Sequence, residues 1–216
     1  MKTAVIFDMD GVIFDTERLY LDVWRDLAVK YGLEDIDGVY IGSIGGTDAM
    51  YLEELKKRYP ERPMGDIYEE GRVEFARRTR EYGPPLKPFV REALDMLRAK
   101  GIPCALASST VVSLVREELG KAGLTGYFAV VVGGDEVREG KPAPDIFLKA
   151  REALPVDAGS VFVIEDSFNG IRAAHAAGLR PLMVPDILGP DEEIRGLAEA
   201  VLPDILKAAR YILDRT

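Results

Sequence analysis

The chain has little of several things, and each shortage excludes something. There is one cysteine, Cys104, so no internal disulfide can form. It sits in the apolar run "IPCALASS" and reads as a small buried hydrophobe. There is one histidine, His175 in "AAHAAG", which reads as a helix-surface residue; with so little Cys and His, a soft zinc site cannot be assembled. No apolar run approaches the roughly 18 to 20 residues that a membrane helix needs. Positive charge is short as well. Lys and Arg number 28 against 37 Asp and Glu, and the net charge of -9 repels a phosphate backbone. The expected partners are therefore neither nucleic acid nor membrane. The amino terminus "MKTAVIFDMDG" ends its short apolar run in two aspartates with no small-residue cleavage site, which reads as no signal peptide and a cytoplasmic protein.

What is present is a repeating rhythm. Short β-branched runs recur at "KTAVIFD", "IPCALASS", "FAVVVGG", "SVFVIED" and "LRPLMVP". Most are followed by a helical pattern, namely "KPFVREALDMLRAKG", "VVSLVREELGKAGL", "PDIFLKAREAL" and "FNGIRAAHAAGL", with stops at Gly101, Gly123 and Gly178. "VLPDILKAARYIL" reads as a closing helix. This is the βαβ pattern of a parallel sheet covered on both faces, and it predicts a doubly wound, Rossmann-like α/β core.

Between the first two strands lie about 90 residues, far more than one crossover needs. From Glu17 to Tyr82 they show helical spacing in three pieces, "ERLYLDVWRDLAVKYG", "GTDAMYLEELKKRYP" and "MGDIYEEGRVEFARRTREYG". The expected organisation is a core of 1–15 and 86–216 with a small all-helical cap at 16–85, entered through Asp15 and Thr16 and left through "GPPLKP". Such an insert suggests a lid that hinges. "IGSIGGTDA", residues 41 to 49, reads as a loop whose glycines, Gly45 and Gly46 among them, either present backbone donors to a substrate or form a turn between helices.

In an open parallel sheet, ligands bind beyond the carboxyl ends of the strands. There the sequence sets Asp8 and Asp10, Ser108 and Ser109, and Glu165 and Asp166, with Lys141 in "REGKPAPD" after the third strand. Carboxylates gathered at strand ends repel one another and resist burial, so Asp8, Asp10, Glu165 and Asp166 together need a cation. An all-oxygen set favours magnesium. Beside such an ion Asp8 can attack phosphorus and form an aspartyl phosphate. Asp10, beyond the turn at Gly11, can give a proton to the leaving oxygen and later take one from water. Lys141, the Ser108 hydroxyl and the Ser109 N–H can balance and hold the phosphoryl oxygens.

Taken in order, "DMDGV", "LASS", "GKPAPDIF" and "IEDSFNGI" resemble the four motifs of the haloacid dehalogenase-like phosphatase superfamily, and the helical insert resembles that family's small cap of the first type. The resemblance implies a Rossmann-like core, a magnesium cofactor and phosphoryl transfer through Asp8. It makes Asp8 nucleophile and metal ligand, Asp10 acid/base with its carbonyl on the metal, Asp166 a metal ligand and Glu165 an assistant to it. Ser108 and Lys141 become phosphate contacts, and Asp15 with Thr16 the start of the cap hinge. Asp10 argues against dehalogenase and phosphonate-cleaving chemistry, since members of those kinds lack it.

The expected activity is magnesium-dependent hydrolysis of a small phosphorylated metabolite, with a sugar phosphate in view, by a monomer or weak homo-oligomer. A β-phosphoglucomutase-like isomerase is the alternative. Those mutases carry a histidine early in the first cap helix and an arginine in the following loop. Here the corresponding places hold Tyr20 and a glycine near Gly45, and Gly42 to Asp48 contain no basic residue. A phospho-aspartate switch without enzymatic activity fails on Asp10, which would speed loss of the phosphate, and on the lid.

Overall fold

A computed structural model describes residues 3–44 and 48–216. The chain divides into two compact units, one of Met1–Phe14 with Leu86–Thr216 and one of Asp15–Pro85.

The first unit is built on a parallel sheet. Its strands are β1 (Ala4–Phe7), β2 (Cys104–Ala107), β3 (Phe128–Val132), β4 (Val161–Glu165), β5 (Arg180–Met183) and β6 (Ala200–Val201), in the order β3-β2-β1-β4-β5-β6. Side chains alternate along each strand, so both faces need cover. Val5, Phe7, Cys104, Leu106, Phe162 and Ile164 fall in one apolar cluster, while Ala4, Ile6, Ala105, Ala107, Val161 and Val163 fall in another. The first cluster is closed by helices Val90–Ala99, Val112–Lys121 and Ile205–Leu213, the second by Asp145–Glu152 and Phe168–Ala176. Each fully buried phenylalanine on these strands contributes about 2 kcal/mol of apolar transfer. The doubly wound α/β reading therefore holds.

The strand order reverses between β1 and β4. Phe7 pairs with Ile164, and the Asp8 N–H donates to the Ile164 carbonyl at 3.0 Å. Ligands in open α/β sheets bind outside the carboxyl ends at such a reversal.

The second unit is all-helical among its described residues: α1 (Thr16–Tyr31), α2 (Ile36–Ser43), α3 (Asp48–Arg58) and α4 (Met64–Tyr82). Trp24, Tyr51 and Tyr68 stack edge-on or tilted within its core, with ring centroids 5.2 to 6.2 Å apart. Gly71 on α4 lets the helices approach, since a Cβ there would lie 3.1 Å from Leu27 Cδ1.

Two details differ from the sequence reading. The stretch beginning at Ile41 is helical through Ser43, because Ile36, Val39 and Tyr40 are buried at helical spacing and carry α2 to that point. Gly45 and Gly46 lie outside the described residues. Val201, read as the start of the last helix, ends the short strand β6 instead, and Asp204 caps the helix by accepting from the Lys207 N–H at 2.8 Å. Cys104 is buried and His175 exposed, as read.

Candidate active site

Four side chains meet where β1 and β4 end. Asp8 follows β1, Glu165 closes β4 and Asp166 follows it; one oxygen from each lies within 4.8 Å of the others. Lys141 enters from the connection after β3. Its Nζ donates to Asp8 Oδ1 and to Glu165 Oε1, the latter at 2.6 Å, and stands 4.9 Å over the Phe147 ring.

Glu165 is completely buried, and its second oxygen is also engaged. Oε2 accepts from the Ser167 N–H at 2.6 Å and the Ser167 hydroxyl at 2.9 Å, while that hydroxyl accepts from the Gly170 N–H at 3.0 Å and caps the helix Phe168–Ala176. The helix thus begins on a serine that also orients a carboxylate. Two glycines make room. At Gly11, with φ of 77°, a Cβ would strike the Asp166 carboxylate, and at Gly170 it would strike that of Glu165.

Burial dominates the electrostatics. It pushes the Asp8 carboxyl well above the usual range; Lys141 works against this and Glu165 and Asp10 add to it. Asp166 is raised by burial first, then by Glu165 and Asp8. Burial alone would lower the Lys141 ammonium, but Asp8 and Glu165 outweigh it and hold its pKa above the ordinary value. Asp8, Glu165 and Asp166 bring three carboxylates against the one ammonium of Lys141, and their hard oxygens fit a divalent cation such as magnesium.

Around this centre, Asp10 Oδ2 accepts from the Thr110 hydroxyl at 3.3 Å, and Ser108 Oγ accepts from the Thr110 N–H at 3.0 Å. Ser108 is buried and Ser109 exposed. Asp15 and Thr16 belong to the helical unit, where Asp15 donates its N–H to the Pro85 carbonyl at 2.8 Å and takes a hydrogen bond from Arg18 at 2.8 Å. Thr110 and Ser167 were missed in the sequence reading, although a serine opening a helical pattern is a readable cap signal. Lys87 and Asp186, paired at 2.5 Å, have no such local signal.

The sequence profile described as haloacid dehalogenase-like hydrolase matches residues 5–184. The chain belongs to this family. Among its relatives, a Thermotoga maritima protein named phosphorylated carbohydrates phosphatase is 36% identical over 185 residues, covering 82% of each chain. An Arabidopsis thaliana (DL)-glycerol-3-phosphatase is 33% identical over 94% of this chain and 70% of its own. Among solved structures, one from Thermotoga maritima, provisionally named a β-phosphoglucomutase, has a TM-score of 0.82, 32% identity and full coverage of both chains. A Deinococcus radiodurans haloacid dehalogenase family hydrolase, solved with bound phosphate and sodium, has a TM-score of 0.84 and 27% identity, covering 99% of this chain and 96% of that one.

Proposed function

We propose that the chain is a magnesium-dependent phosphatase of small phosphorylated carbohydrates, working through an aspartyl phosphate on Asp8. The observation that carries the reading is the buried cluster of Asp8, Glu165, Asp166 and Lys141 at the reversal of strand order. The similarity to the phosphorylated carbohydrates phosphatase supports the substrate class.

In this reading an Asp8 oxygen attacks phosphorus, the ester P–O bond breaks, and Asp10 gives its proton to the departing alcohol. Asp10 then takes a proton from a water that attacks the same phosphorus, which releases inorganic phosphate and restores Asp8. Lys141 offsets the charge of the phosphoryl group and of its carboxylate neighbours. Ser108 Oγ and the Ser109 N–H hold phosphoryl oxygens. Asp8, Asp166 and the Asp10 carbonyl, assisted by Glu165, would hold magnesium, which supplies the positive charge that lets two anions approach. We assign 16–85 the role of a substrate-selecting cap entered through Asp15 and Thr16.

The provisional mutase name of one structural relative favours a second reading, isomerisation of a sugar phosphate. A mutase must hold a bisphosphate, which calls for a cationic clamp away from the carboxylates. In the helical unit Arg18 pairs with Asp15 at 2.8 Å and Arg72 with Glu69 at 3.4 Å. Both sit in exposed pairs with acidic neighbours three residues away rather than in a buried clamp, which favours hydrolysis. A panel of phosphorylated metabolites, assayed for phosphate release with and without magnesium, tests the proposal. Magnesium-dependent release from sugar monophosphates is expected. Rapid conversion of β-glucose 1-phosphate to glucose 6-phosphate, with a trace of bisphosphate and no phosphate release, would establish the mutase instead.

A further inference from the structure

Thr110 engages three segments at the carboxyl end of the sheet at once. Its hydroxyl donates to Asp10 Oδ2 at 3.3 Å, in the turn after β1, and its N–H donates to Ser108 Oγ at 3.0 Å, at the end of β2. Its carbonyl accepts from the Gly134 N–H at 3.0 Å, in the segment after β3. These strands are neighbours in the sheet, in the order β3-β2-β1. One half-buried residue therefore joins the loop of the proposed acid/base to that of a proposed phosphate contact.

The backbone around Thr110 is fixed from the β3 side. The Ser108 N–H donates to the Val132 carbonyl at 3.1 Å, and the Val112 N–H to Asp135 Oδ1 at 2.8 Å. A Cβ at Gly133 would lie 2.3 Å from the Val112 nitrogen and one at Gly134 2.2 Å from the Ser109 carbonyl oxygen, so these two glycines are what admits the close approach. On the other side Asp10 bridges Phe14, and the Gly11 N–H donates to the Phe14 carbonyl at 2.8 Å. With both backbones held, the Thr110 hydroxyl reaches Asp10 from a fixed place, and β-branching restricts its rotation further. It adds to the other interactions of Asp10 a contact from the strand that carries Ser108. A separation of 3.3 Å is long between two oxygens, so the contact orients the carboxylate without locking it, as a group that both gives and takes a proton requires.

We propose that Thr110 is a positioning residue, whose hydroxyl turns the Asp10 carboxylate toward the leaving oxygen and then toward the attacking water. The inference rests on the phosphatase reading and adds a residue to it. Thr110 acts through Asp10 rather than on phosphorus. Both proton transfers therefore depend on it, whereas attack by Asp8 on an ester whose leaving group departs unprotonated does not.

The test uses the full chain with magnesium, a sugar monophosphate, and p-nitrophenyl phosphate, whose nitrophenolate leaves without a proton. Thr110→Val keeps the shape and both backbone contacts but removes the donor. It is expected to lower kcat on the sugar monophosphate about tenfold, part of the roughly 10²- to 10⁴-fold that acid–base catalysis contributes, with KM within about twofold of the parent. In rapid mixing with p-nitrophenyl phosphate, the first turnover of nitrophenol should stay within about twofold of the parent's rate, while acid-quenched phosphoenzyme accumulates because water is activated more slowly. Thr110→Ser restores the donor and should return kcat to within about threefold of the parent. A purely structural role predicts otherwise: a first nitrophenol turnover slowed as much as the sugar phosphate, or Thr110→Ser as slow as Thr110→Val. Either result overturns the inference. Where Thr110→Val fails to fold, Thr110→Ala carries the same expectations. A parent that releases no phosphate with magnesium overturns the phosphatase reading and this inference together. A parent that releases it while the Thr110 variants stay level overturns this inference alone.

Discussion

Gly170→Ala sets two effects of opposite sign against each other. In the third position of a helix, alanine should be better than glycine by about 1 kcal/mol, so propensity alone predicts a more stable protein. The surroundings predict the reverse, because the added Cβ would overlap the Glu165 carboxylate. That carboxylate cannot step aside cheaply, since its side chain is 1% exposed and accepts from Lys141 Nζ at 2.6 Å, the Ser167 N–H at 2.6 Å and the Ser167 hydroxyl at 2.9 Å. Hydrogen bonds to a charged group contribute about 1.5 to 3 kcal/mol each, and disrupting two of the three costs about 3 to 6 kcal/mol. The net expectation is a loss of about 2 to 5 kcal/mol, or roughly 5 to 15 °C in Tm for a chain of this size. Thermal unfolding followed by circular dichroism measures the Tm, and a magnesium titration of the same variant should show weaker binding as Glu165 is displaced. A Tm equal to or above the parent's, with an unchanged magnesium midpoint, would refute the account of how Glu165 is held.

Three further outcomes are expected. Phe89 caps the helix Val90–Ala99 in left-handed backbone with φ of 66° and is 47% exposed; that conformation costs an L residue about 1 to 2 kcal/mol, so Phe89→Gly should exceed Phe89→Ala, which loses the same ring, by about 0.5 to 1 kcal/mol in stability after glycine's extra unfolded-state entropy. Denaturant melts of the two variants check it, and a lower midpoint for the glycine variant would contradict it. Glu118 lies buried on the helix Val112–Lys121, and burial, then Asp10, push its carboxyl from 4.5 up to about 7, with Lys121 opposing and Glu117 adding. Because the folded protein holds this proton more tightly than the unfolded chain, the carboxyl's contribution to stability falls as pH rises from about 4.5 to about 7; Glu118→Gln should thus be more stable than the parent by about 1 to 3 kcal/mol at pH 8 and level with it near pH 4, and a constant gap across that range would count against the burial argument. Asp8→Asn should keep the fold and lose about 10³-fold or more in turnover, which steady-state phosphate release from a sugar monophosphate would measure.

How much of this was legible in the sequence depends on whether the cause is local. Val5 and Phe7 alternate with Ala4 and Ile6 across a sheet buried on both faces, so the run itself announces an interior strand. Asp8, Glu165 and Asp166 were readable as a group because parallel strands bring their carboxyl ends together whatever the intervening length. The helix "IDGVYIGS" was not readable, since two glycines in eight residues deny it propensity and it stands on the burial of Ile36, Val39 and Tyr40. The strand Ala200–Val201 is too short to show a period, and it exists because β5 offers an edge. Lys87 and Asp186 form the extreme case: nothing near either residue hints at the other, and only the fold makes them neighbours.

The most direct test of the central claim is to trap the covalent intermediate. Asp10→Asn, mixed with magnesium and a phosphate monoester that has a good leaving group, should accumulate phosphoenzyme because water is no longer activated. Acid quench followed by peptide mass mapping is predicted to find one phosphoryl group, on Asp8. A folded variant that turns over as fast as the parent, or a phosphoryl group mapped to any other residue, would contradict the account.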